Sequence, residues 1–159
     1  MQEVIEILLV EDDPKDVQLT LHTLRSEGLG NSIAVARDGA EALEFLFGRS
    51  RAASPLPDRR PKLILLDLKL PKVDGIQVLR EIKSHPETRA IPVVVLTSSR
   101  EDRDMVDSYN LGVNSYIQKP VDFDDFRKTI RMLGMYWLVV NQAPPEKVFS
   151  AAVETAARD

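Results

Sequence analysis

Short runs of apolar residues recur along the chain and alternate with stretches that have a helical pattern. Three of these runs, at residues 5–10, 63–66 and 92–96, consist almost wholly of aliphatic residues. Such runs are typical of strands that are buried on both faces of a parallel sheet. Residues 32–36 and 114–117 form shorter and weaker runs, which predicts strands near a sheet edge or under less cover.

Amphipathic patterns between these strands predict five helices. The first has Pro14 in its first turn, Asp12 or Asp13 as its N-cap, and Gly28 at its end. Asp38 and Asp122 are the predicted caps of the second and fifth helices. The apolar positions assigned to the five helices are Val17, Leu21 and Leu24; Ala42, Leu43, Phe45 and Leu46; Ile76, Leu79 and Ile82; Met105, Val106 and Tyr109; and Phe123, Phe126, Ile130 and Leu133.

The order of these elements is a strand followed by a helix, repeated five times. Short strands separated by single helices indicate parallel βαβ units with right-handed crossovers. The sequence therefore predicts an α/β fold with a doubly wound, five-stranded parallel sheet.

Two segments are longer than this fold requires. Residues 47–62 form a long, proline-containing and basic connection before the third strand. We interpret it either as a solvated surface loop or as a loop that recognises a partner. Residues 142–159 are too few for a second domain. We therefore predict one domain over residues 1–141, followed by a C-terminal arm over residues 142–159 and no output domain.

Composition narrows the possible functions. The chain has 159 residues with 21 basic and 25 acidic side chains, and a net charge of −4 argues against a nucleic-acid partner. Cysteine is absent, which excludes disulfide scaffolds and thiolate zinc sites. The longest nearly apolar stretch, residues 132–140, is too short to span a bilayer, and no signal peptide is apparent. We expect a cytoplasmic protein without a membrane partner.

Chemically active side chains follow four of the five predicted strands. Residues 11–13 are acidic, Asp67 follows the third strand, Thr97 the fourth, and Lys119 comes shortly after the fifth. Because ligands bind at the carboxyl ends of strands in open parallel sheets, these groups are expected to converge. Clustered carboxylates favour a hard divalent cation such as Mg²⁺, and the lysine and hydroxyl suit an oxyanion. The predicted site suits a phosphoryl group near a carboxylate.

Four sequence strings, ILLVEDDP, LILLDLKLPKVDG, VVVLTSS and YIQKP, resemble the receiver domain of two-component response regulators. The resemblance covers about residues 4–135. It implies a flavodoxin-like strand order of 2-1-3-4-5 and a phosphoacceptor switch rather than an enzyme. Other phosphoryl-transfer folds fit less well, because the spacing required by haloacid-dehalogenase phosphatases, toprim centres and P-loops is missing.

The resemblance also implies roles for individual residues. Asp67 is the implied phosphoacceptor. Asp12, Asp67 and the backbone carbonyl of Lys69 are the implied ligands of Mg²⁺ or Mn²⁺, with Glu11 acting through water. The implied phosphoryl-binding and switch residues are Thr97, Ser98, Lys119 and Tyr116. Each of these types also has an ordinary structural use, such as a helix cap for Asp12 or Asp13 and a half-buried edge aromatic for Tyr116.

The end of the fifth helix is apolar around more of its circumference than one buried face requires. Met132, Met135, Tyr136 and Trp137 are the candidate interface residues of a homodimer formed by the fifth helix and the arm, although the arm folding over them is the alternative. The long connection and this helix resemble regulators paired with phytochrome-type histidine kinases. Two functions stay open: a switch that signals by protein contacts, and a phosphate shuttle that serves a histidine phosphotransfer protein.

Overall fold

The computed structural model describes residues 5–29, 32–48 and 60–145, in which strands and helices alternate as predicted. The strands are β1 Ile7–Val10, β2 Ile33–Ala36, β3 Leu63–Leu66, β4 Val93–Thr97 and β5 Ser115–Gln118. The helices are α1 Pro14–Ser26, α2 Gly39–Phe47, α3 Gly75–Ser84, α4 Asp102–Asn110 and α5 Phe123–Gly134, and a π-helical turn over Met135–Val140 continues α5.

All five strands are parallel and follow the order β2-β1-β3-β4-β5, which confirms the predicted topology. Strands β1, β3 and β4 are buried along their whole length, whereas β2 and β5 at the two edges are mostly half-buried. The difference between aliphatic and more polar runs in the sequence therefore distinguishes central strands from edge strands. Most strand ends differ from the prediction by one or two residues.

The sheet separates two apolar cores. Alternate strand residues such as Leu8 and Ile64 face α2 and α3, while Leu9 and Leu65 face α1 and α5. Each buried aliphatic side chain contributes roughly 1.5–3 kcal/mol relative to an exposed one. The two cores fix the central strands, and with them the positions of the residues that follow each strand.

Three helix caps agree with the sequence analysis. Asp13, rather than Asp12, caps α1, because its side chain accepts a hydrogen bond from Lys15 N at 2.9 Å. Asp38 caps α2 and Asp122 caps α5 in the same way. Since Asp13 satisfies the helix terminus, the Asp12 carboxylate is left exposed and available for another ligand.

The predicted apolar face of α4 is wrong. Met105, Val106 and Tyr109 are exposed, and Ser108 is the residue of α4 that is buried. The hydroxyl of Ser108 donates to Asp104 O at 2.7 Å, so burial does not leave it unsatisfied. A helical period shows which residues share a face but not which face packs on the sheet, and here the small residue packs inward.

Two features of the fifth helix also differ from the prediction. Phe123 is 60% exposed, and burial of the predicted stripe begins one turn later at Phe126. The helix is not α-helical throughout, because it becomes π-helical after Gly134. A Cβ at Gly134 would lie 2.7 Å from Leu24 Cδ2, so α5 approaches α1 closely where the helix type changes.

Part of the two long segments lies outside the described residues, namely residues 49–59 of the connection and 146–159 of the predicted arm. Their predicted roles as a recognition loop and a dimerisation arm stay predictions. Within the described ranges, no helix has both the length and the apolar character needed to cross a bilayer.

Candidate functional site

The carboxyl ends of β1, β3, β4 and β5 bring the predicted side chains together at one edge of the sheet. Glu11 follows β1, Asp67 follows β3, Thr97 ends β4 and Lys119 follows β5. Backbone hydrogen bonds continue the ladder beyond the strands. Asp67 N donates to Val10 O at 3.0 Å and Lys119 N donates to Thr97 O at 2.7 Å. These bonds hold the functional residues in register with the sheet.

Lys119 is the centre of the site. Its ammonium donates to Asp67 Oδ2 at 2.9 Å, to Asp16 Oδ2 at 2.9 Å and to Glu11 Oε1. The Lys119 side chain is only 9% exposed. Charge-assisted bonds of this kind are stronger than neutral ones, particularly where water is excluded. One buried ammonium group is thus shared by three acidic side chains.

Burial and mutual contact shift the pKa values in the site in opposite directions. Burial raises the pKa of Glu11 strongly, and the neighbouring Asp67 reinforces that rise. Burial also raises the pKa of Asp67, but the neighbouring Glu11 side chain and the charge of Lys119 outweigh it, so the pKa of Asp67 lies below its usual value. Asp67 is therefore the carboxyl group of the site whose environment favours the ionised form.

The acidic residues fit a divalent cation. Carboxylate oxygens of Glu11, Asp12 and Asp67 lie within 4.8 Å of one another. Glu11 Oε2 is buried and has no hydrogen-bond partner among the described residues. Carboxyl oxygens that converge beside an unsatisfied buried oxygen are a donor set suited to a hard cation that keeps some of its water. The residues therefore fit Mg²⁺ or Mn²⁺.

The loop after β3 holds Asp67 from its other side. The backbone N–H of Lys69 donates to Asp67 Oδ1 at 3.2 Å. The Lys69 ammonium points to Asp104 Oδ2 at 3.5 Å and Glu101 Oε1 at 3.7 Å, and these acids raise the pKa of Lys69. The loop is thereby connected to the start of α4.

Gly75 allows that loop to fold tightly against α3. A Cβ at this position would lie 2.3 Å from Asp67 O and 2.4 Å from Leu68 Cα. The amide of Gly75 donates to Leu68 O at 3.0 Å. The close approach of two backbone segments, rather than a special dihedral angle, requires glycine here.

Thr97 and the two serines after it have different surroundings. Thr97 is fully buried, and its Oγ1 accepts a bond from Ser99 N at 3.2 Å. Ser98, which the sequence analysis placed among the phosphoryl-binding residues, has an exposed side chain. Ser99 is the buried serine, and its hydroxyl donates to Asp104 Oδ2 at 2.5 Å. Ser99 was not among the predicted phosphoryl-binding residues, because a buried position two residues beyond a strand has no distinct sequence pattern.

Tyr116 lies on the edge strand β5 and packs against the core formed with α2 and α3. Its hydroxyl is buried without a hydrogen-bond partner among the described residues. Burial raises the pKa of this hydroxyl. The half-buried residue therefore packs against the core with one buried polar atom that is unsatisfied within the described residues.

Asp16 is a site residue that sequence reasoning missed. It lies in the first turn of α1, where acidic residues are common because they interact favourably with the helix dipole. That ordinary explanation hid its contact with Lys119, which is 103 positions away in the chain. No local signal distinguishes an acid that serves the helix from an acid that serves a distant lysine.

Only some of the candidate interface residues are exposed. Met132, Met135 and Tyr136 are exposed, as an interface requires. Trp137 is half-buried against the core shared with α1, and its ring meets that of Tyr136 edge-on at 5.1 Å between centroids. Trp137 therefore contributes to the domain's own packing.

Residues 7–131 match the family model of the response regulator receiver domain. The chain belongs to this family. It is a receiver-domain protein of two-component signalling, with the flavodoxin-like strand order expected of a receiver. The receiver covers most of the described chain, from β1 into α5.

Two relatives match along most of their length. The chain is 42% identical over 138 residues to the probable methanogenesis regulatory protein FilR2 of Methanothrix harundinacea, covering 87% of this chain and 86% of that protein. It is 41% identical over 132 residues to the response regulator Rcp1 of Synechocystis, covering 83% and 88% respectively.

Solved structures of response regulators also resemble this chain. The phosphorylated cyanobacterial phytochrome response regulator RcpA superposes with a TM-score of 0.80 at 38% identity, covering 90% of this chain and all of that one. The Mn²⁺-bound form of Rcp1 also gives a TM-score of 0.80, at 39% identity, covering 89% of this chain and 99% of the other. The chain is thus related to phytochrome response regulators.

Proposed function

We propose that this receiver accepts a phosphoryl group on Asp67 from a sensor histidine kinase. The main support is the surroundings of Asp67, which is buried at the sheet edge, is ionised, and receives a hydrogen bond from Lys119 at 2.9 Å beside an acidic cluster. A carboxylate in this setting can act as a nucleophile, and the Lys119 ammonium beside it can stabilise the oxygens of a phosphoryl group.

The transfer is a displacement at phosphorus. A carboxylate oxygen of Asp67 attacks the phosphorus of the donor's phosphohistidine, and a P–O bond forms as the P–N bond breaks. The histidine nitrogen leaves with the electron pair and takes up a proton. Lys119 and the Lys69 amide, which already contact the two oxygens of Asp67, orient the carboxylate.

A divalent cation, Mg²⁺ or Mn²⁺, completes the proposed site. Asp12, Asp67 and the carbonyl of Lys69 would hold it, and Glu11 would act through water. When bound, the cation neutralises the carboxylates and the incoming phosphoryl oxygens. Asp12 is exposed and Glu11 has a buried unsatisfied oxygen, so both have coordination capacity to offer.

Phosphorylation adds about 1.5–2 negative charges at Asp67 by analogy with hydroxyl phosphates. We propose that Thr97 and Lys119 turn toward the phosphoryl oxygens, with Ser98 contributing from the same loop. Tyr116 then adjusts in the space near Thr97 and changes the surface formed by α4, β5 and α5. The chain would signal through protein contacts made by that surface.

We propose a phytochrome-type histidine kinase as the partner. Support comes from the likeness to Rcp1 and RcpA over nearly their full length. FilR2 is as similar in sequence and its name points to another process, so the pairing is the finer part of the proposal. A homodimer through the end of α5 and the arm is proposed on the exposed Met132, Met135 and Tyr136.

The alternative function is a phosphate shuttle that passes the group on to a histidine phosphotransfer protein. It uses the same site, so the site's geometry favours neither function. A time course of phosphotransfer against a panel of kinases and phosphotransfer proteins separates them, because a shuttle empties rapidly onto its acceptor. We expect no nucleic-acid partner for either function.

The test of the phosphoacceptor is an Asp67→Asn variant. Asn is isosteric with Asp but is not a nucleophile at phosphorus, so we expect transfer from a cognate kinase to fall below detection in D67N. Asp104→Asn is the matched control, since Asp104 is also partly buried and close to Lys69 but is not part of the acidic cluster. Continued phosphorylation of D67N at wild-type levels would overturn the assignment.

A further inference from the structure

All three donors of the Lys119 ammonium are occupied. An ammonium group has three N–H donors and no acceptor. Lys119 directs them to Glu11, to Asp67 and to Asp16, the last two at 2.9 Å. Within the described ranges, Glu11 and Asp67 belong to the acidic cluster suited to a cation, whereas Asp16 does not.

A phosphoryl group on Asp67 changes this arrangement. The oxygen that becomes bonded to phosphorus loses its charge, and the new negative oxygens lie farther from the sheet edge. Lys119 must move outward to reach them, which stretches its bonds to Glu11 and Asp16. Glu11 lies in the acidic cluster that would hold the cation and its water, whereas Asp16 gains only solvent. The bond from Lys119 to Asp16 is therefore the contact that phosphorylation loses without a new partner in the site.

We propose that Asp16 is a positioning residue that holds Lys119 in the unphosphorylated arrangement and so weakens phosphoryl binding at Asp67. The inference rests on the proposed function and deepens it. Asp16 acts only through Lys119, and this role does not require Asp16 to contact the phosphoryl group.

The surroundings of Asp16 make its contact reversible. Its side chain is 26% exposed, so water can solvate the carboxylate when Lys119 leaves. Its place in the first turn of α1 keeps a negative charge favourable there without the lysine. Asp16 is thus a competitor that can be displaced, whereas a fully buried carboxylate would block the movement.

Beryllofluoride, a phosphoryl analogue, provides an equilibrium test on the full chain. Its affinity at saturating Mg²⁺ is measured by fluorine NMR for the wild type, Asp16→Asn and Asp13→Asn. D13N is the matched control, because it removes the same charge from the same helix end and Asn caps a helix as well as Asp does. We expect D16N to bind about tenfold more tightly than D13N, since a charged bond is replaced by a neutral one.

Two further measurements distinguish positioning from a structural effect. Mn²⁺ affinity without the analogue should agree between D16N and D13N within about twofold. Asp16→Glu, which restores the charge, should return beryllofluoride affinity to the wild-type value. Equal analogue affinity in D16N and D13N, weaker binding in D16N, or failure of D16E to restore the wild-type value would each overturn the inference.

Two complications have defined outcomes. If D16N does not fold by circular dichroism, Asp16→Ser takes its place in the same comparison. If the wild type binds no beryllofluoride with Mg²⁺, the proposed function itself fails. Wild-type binding without any difference between the two asparagine variants contradicts the inference about Asp16 alone.

Discussion

At the scale of single residues, the site depends on positions where a side chain fits narrowly or is left unsatisfied. Gly75 leaves no room for a Cβ beside Asp67 O and Leu68 Cα. Tyr116 is the residue left unsatisfied, because it packs half-buried against the core while its hydroxyl has no partner in the described part of the chain. Both features can be tested by changing one group.

We expect Gly75→Ala to destabilise the domain by about 1–3 kcal/mol, because the clash is with backbone that cannot rotate away. It should also weaken Mn²⁺ binding, since the displaced segment includes Asp67. Gly28→Ala is the control: it has a φ of +70° but nothing within 4 Å, so it should cost about 1 kcal/mol and leave Mn²⁺ binding unchanged. Urea unfolding and Mn²⁺ titration measure the two effects, and equal Mn²⁺ affinity in both variants contradicts the expected displacement of Asp67.

Tyr116→Phe should stabilise the unphosphorylated domain by about 1 kcal/mol, because it removes a buried polar group that has no partner. Tyr136→Phe is the matched control, since Tyr136 is exposed and the hydroxyl that this substitution removes is solvated by water. The free energy of unfolding in urea decides the matter. A destabilised Y116F would indicate that the hydroxyl has a partner in solution.

At the scale of elements, Lys83 joins the end of α3 to the starts of two strands. Its ammonium donates to Arg89 O at 3.1 Å, to Ile91 O at 3.2 Å and to Asn114 Oδ1 at 3.3 Å. Asn114 Oδ1 also accepts from Val93 N at 2.8 Å. We call these contacts of Lys83 and Asn114 the Lys83 clamp. It lies next to the starts of β4 and β5, at the edge of the sheet opposite the site.

The clamp should make stability depend on pH. Burial lowers the pKa of Lys83 to about 8 from an unfolded value of 10.5. Between these values the unfolded chain binds more protons, so the free energy of unfolding should rise with pH. Lys83→Met removes the titration, and we expect the wild type to gain stability relative to K83M between pH 8 and 10.5. Urea unfolding at pH 7.5 and pH 10 tests this, and a constant difference between the two proteins would contradict it.

The elements themselves were mostly predictable from the sequence. Alternation of aliphatic runs with helical patterns identified the five strands and the five α-helices of the described residues, and Asp38 and Asp122 marked two helix starts correctly. Burial of α4 and of Phe123 was predicted wrongly because periodicity does not show which neighbour a helix face meets. The π-helical turn begins after Gly134, where α5 approaches Leu24 closely, and it has no sequence pattern.

Prediction of the site succeeded where strand order determines position and failed where distant side chains meet. Glu11, Asp67, Thr97 and Lys119 each follow a strand, so a parallel sheet was enough to bring them together. In the sequence, Asp16 has the pattern of an ordinary acidic residue in the first turn of a helix, and Ser99 has the pattern of an ordinary loop serine. Their roles arise from contacts with Lys119 and Asp104, which only the folded chain makes.

At the scale of the whole molecule, the exposed apolar surface at the end of α5 has no partner among the described residues. We expect a homodimer that Met135→Glu dissociates, because a charge there cannot be buried without a partner. Val106→Glu on α4 is the matched control, since Val106 is similarly exposed. Sedimentation at micromolar concentration measures both. A dimer lost in V106E but kept in M135E would place the interface on α4, and a monomeric wild type would contradict dimerisation.

The contacts of Lys119 also have a consequence for how the chain is made. They join positions that are 52, 103 and 108 residues apart, and such distant contacts form only after long loops have closed. During synthesis, the acidic residues and Asp67 leave the ribosome well before β5 and its lysine do. A nascent chain therefore has the acidic residues of the site but not yet Lys119. Competence to receive a phosphoryl group should appear only when the last strand has joined the sheet, so that incompletely synthesised copies do not take part in signalling.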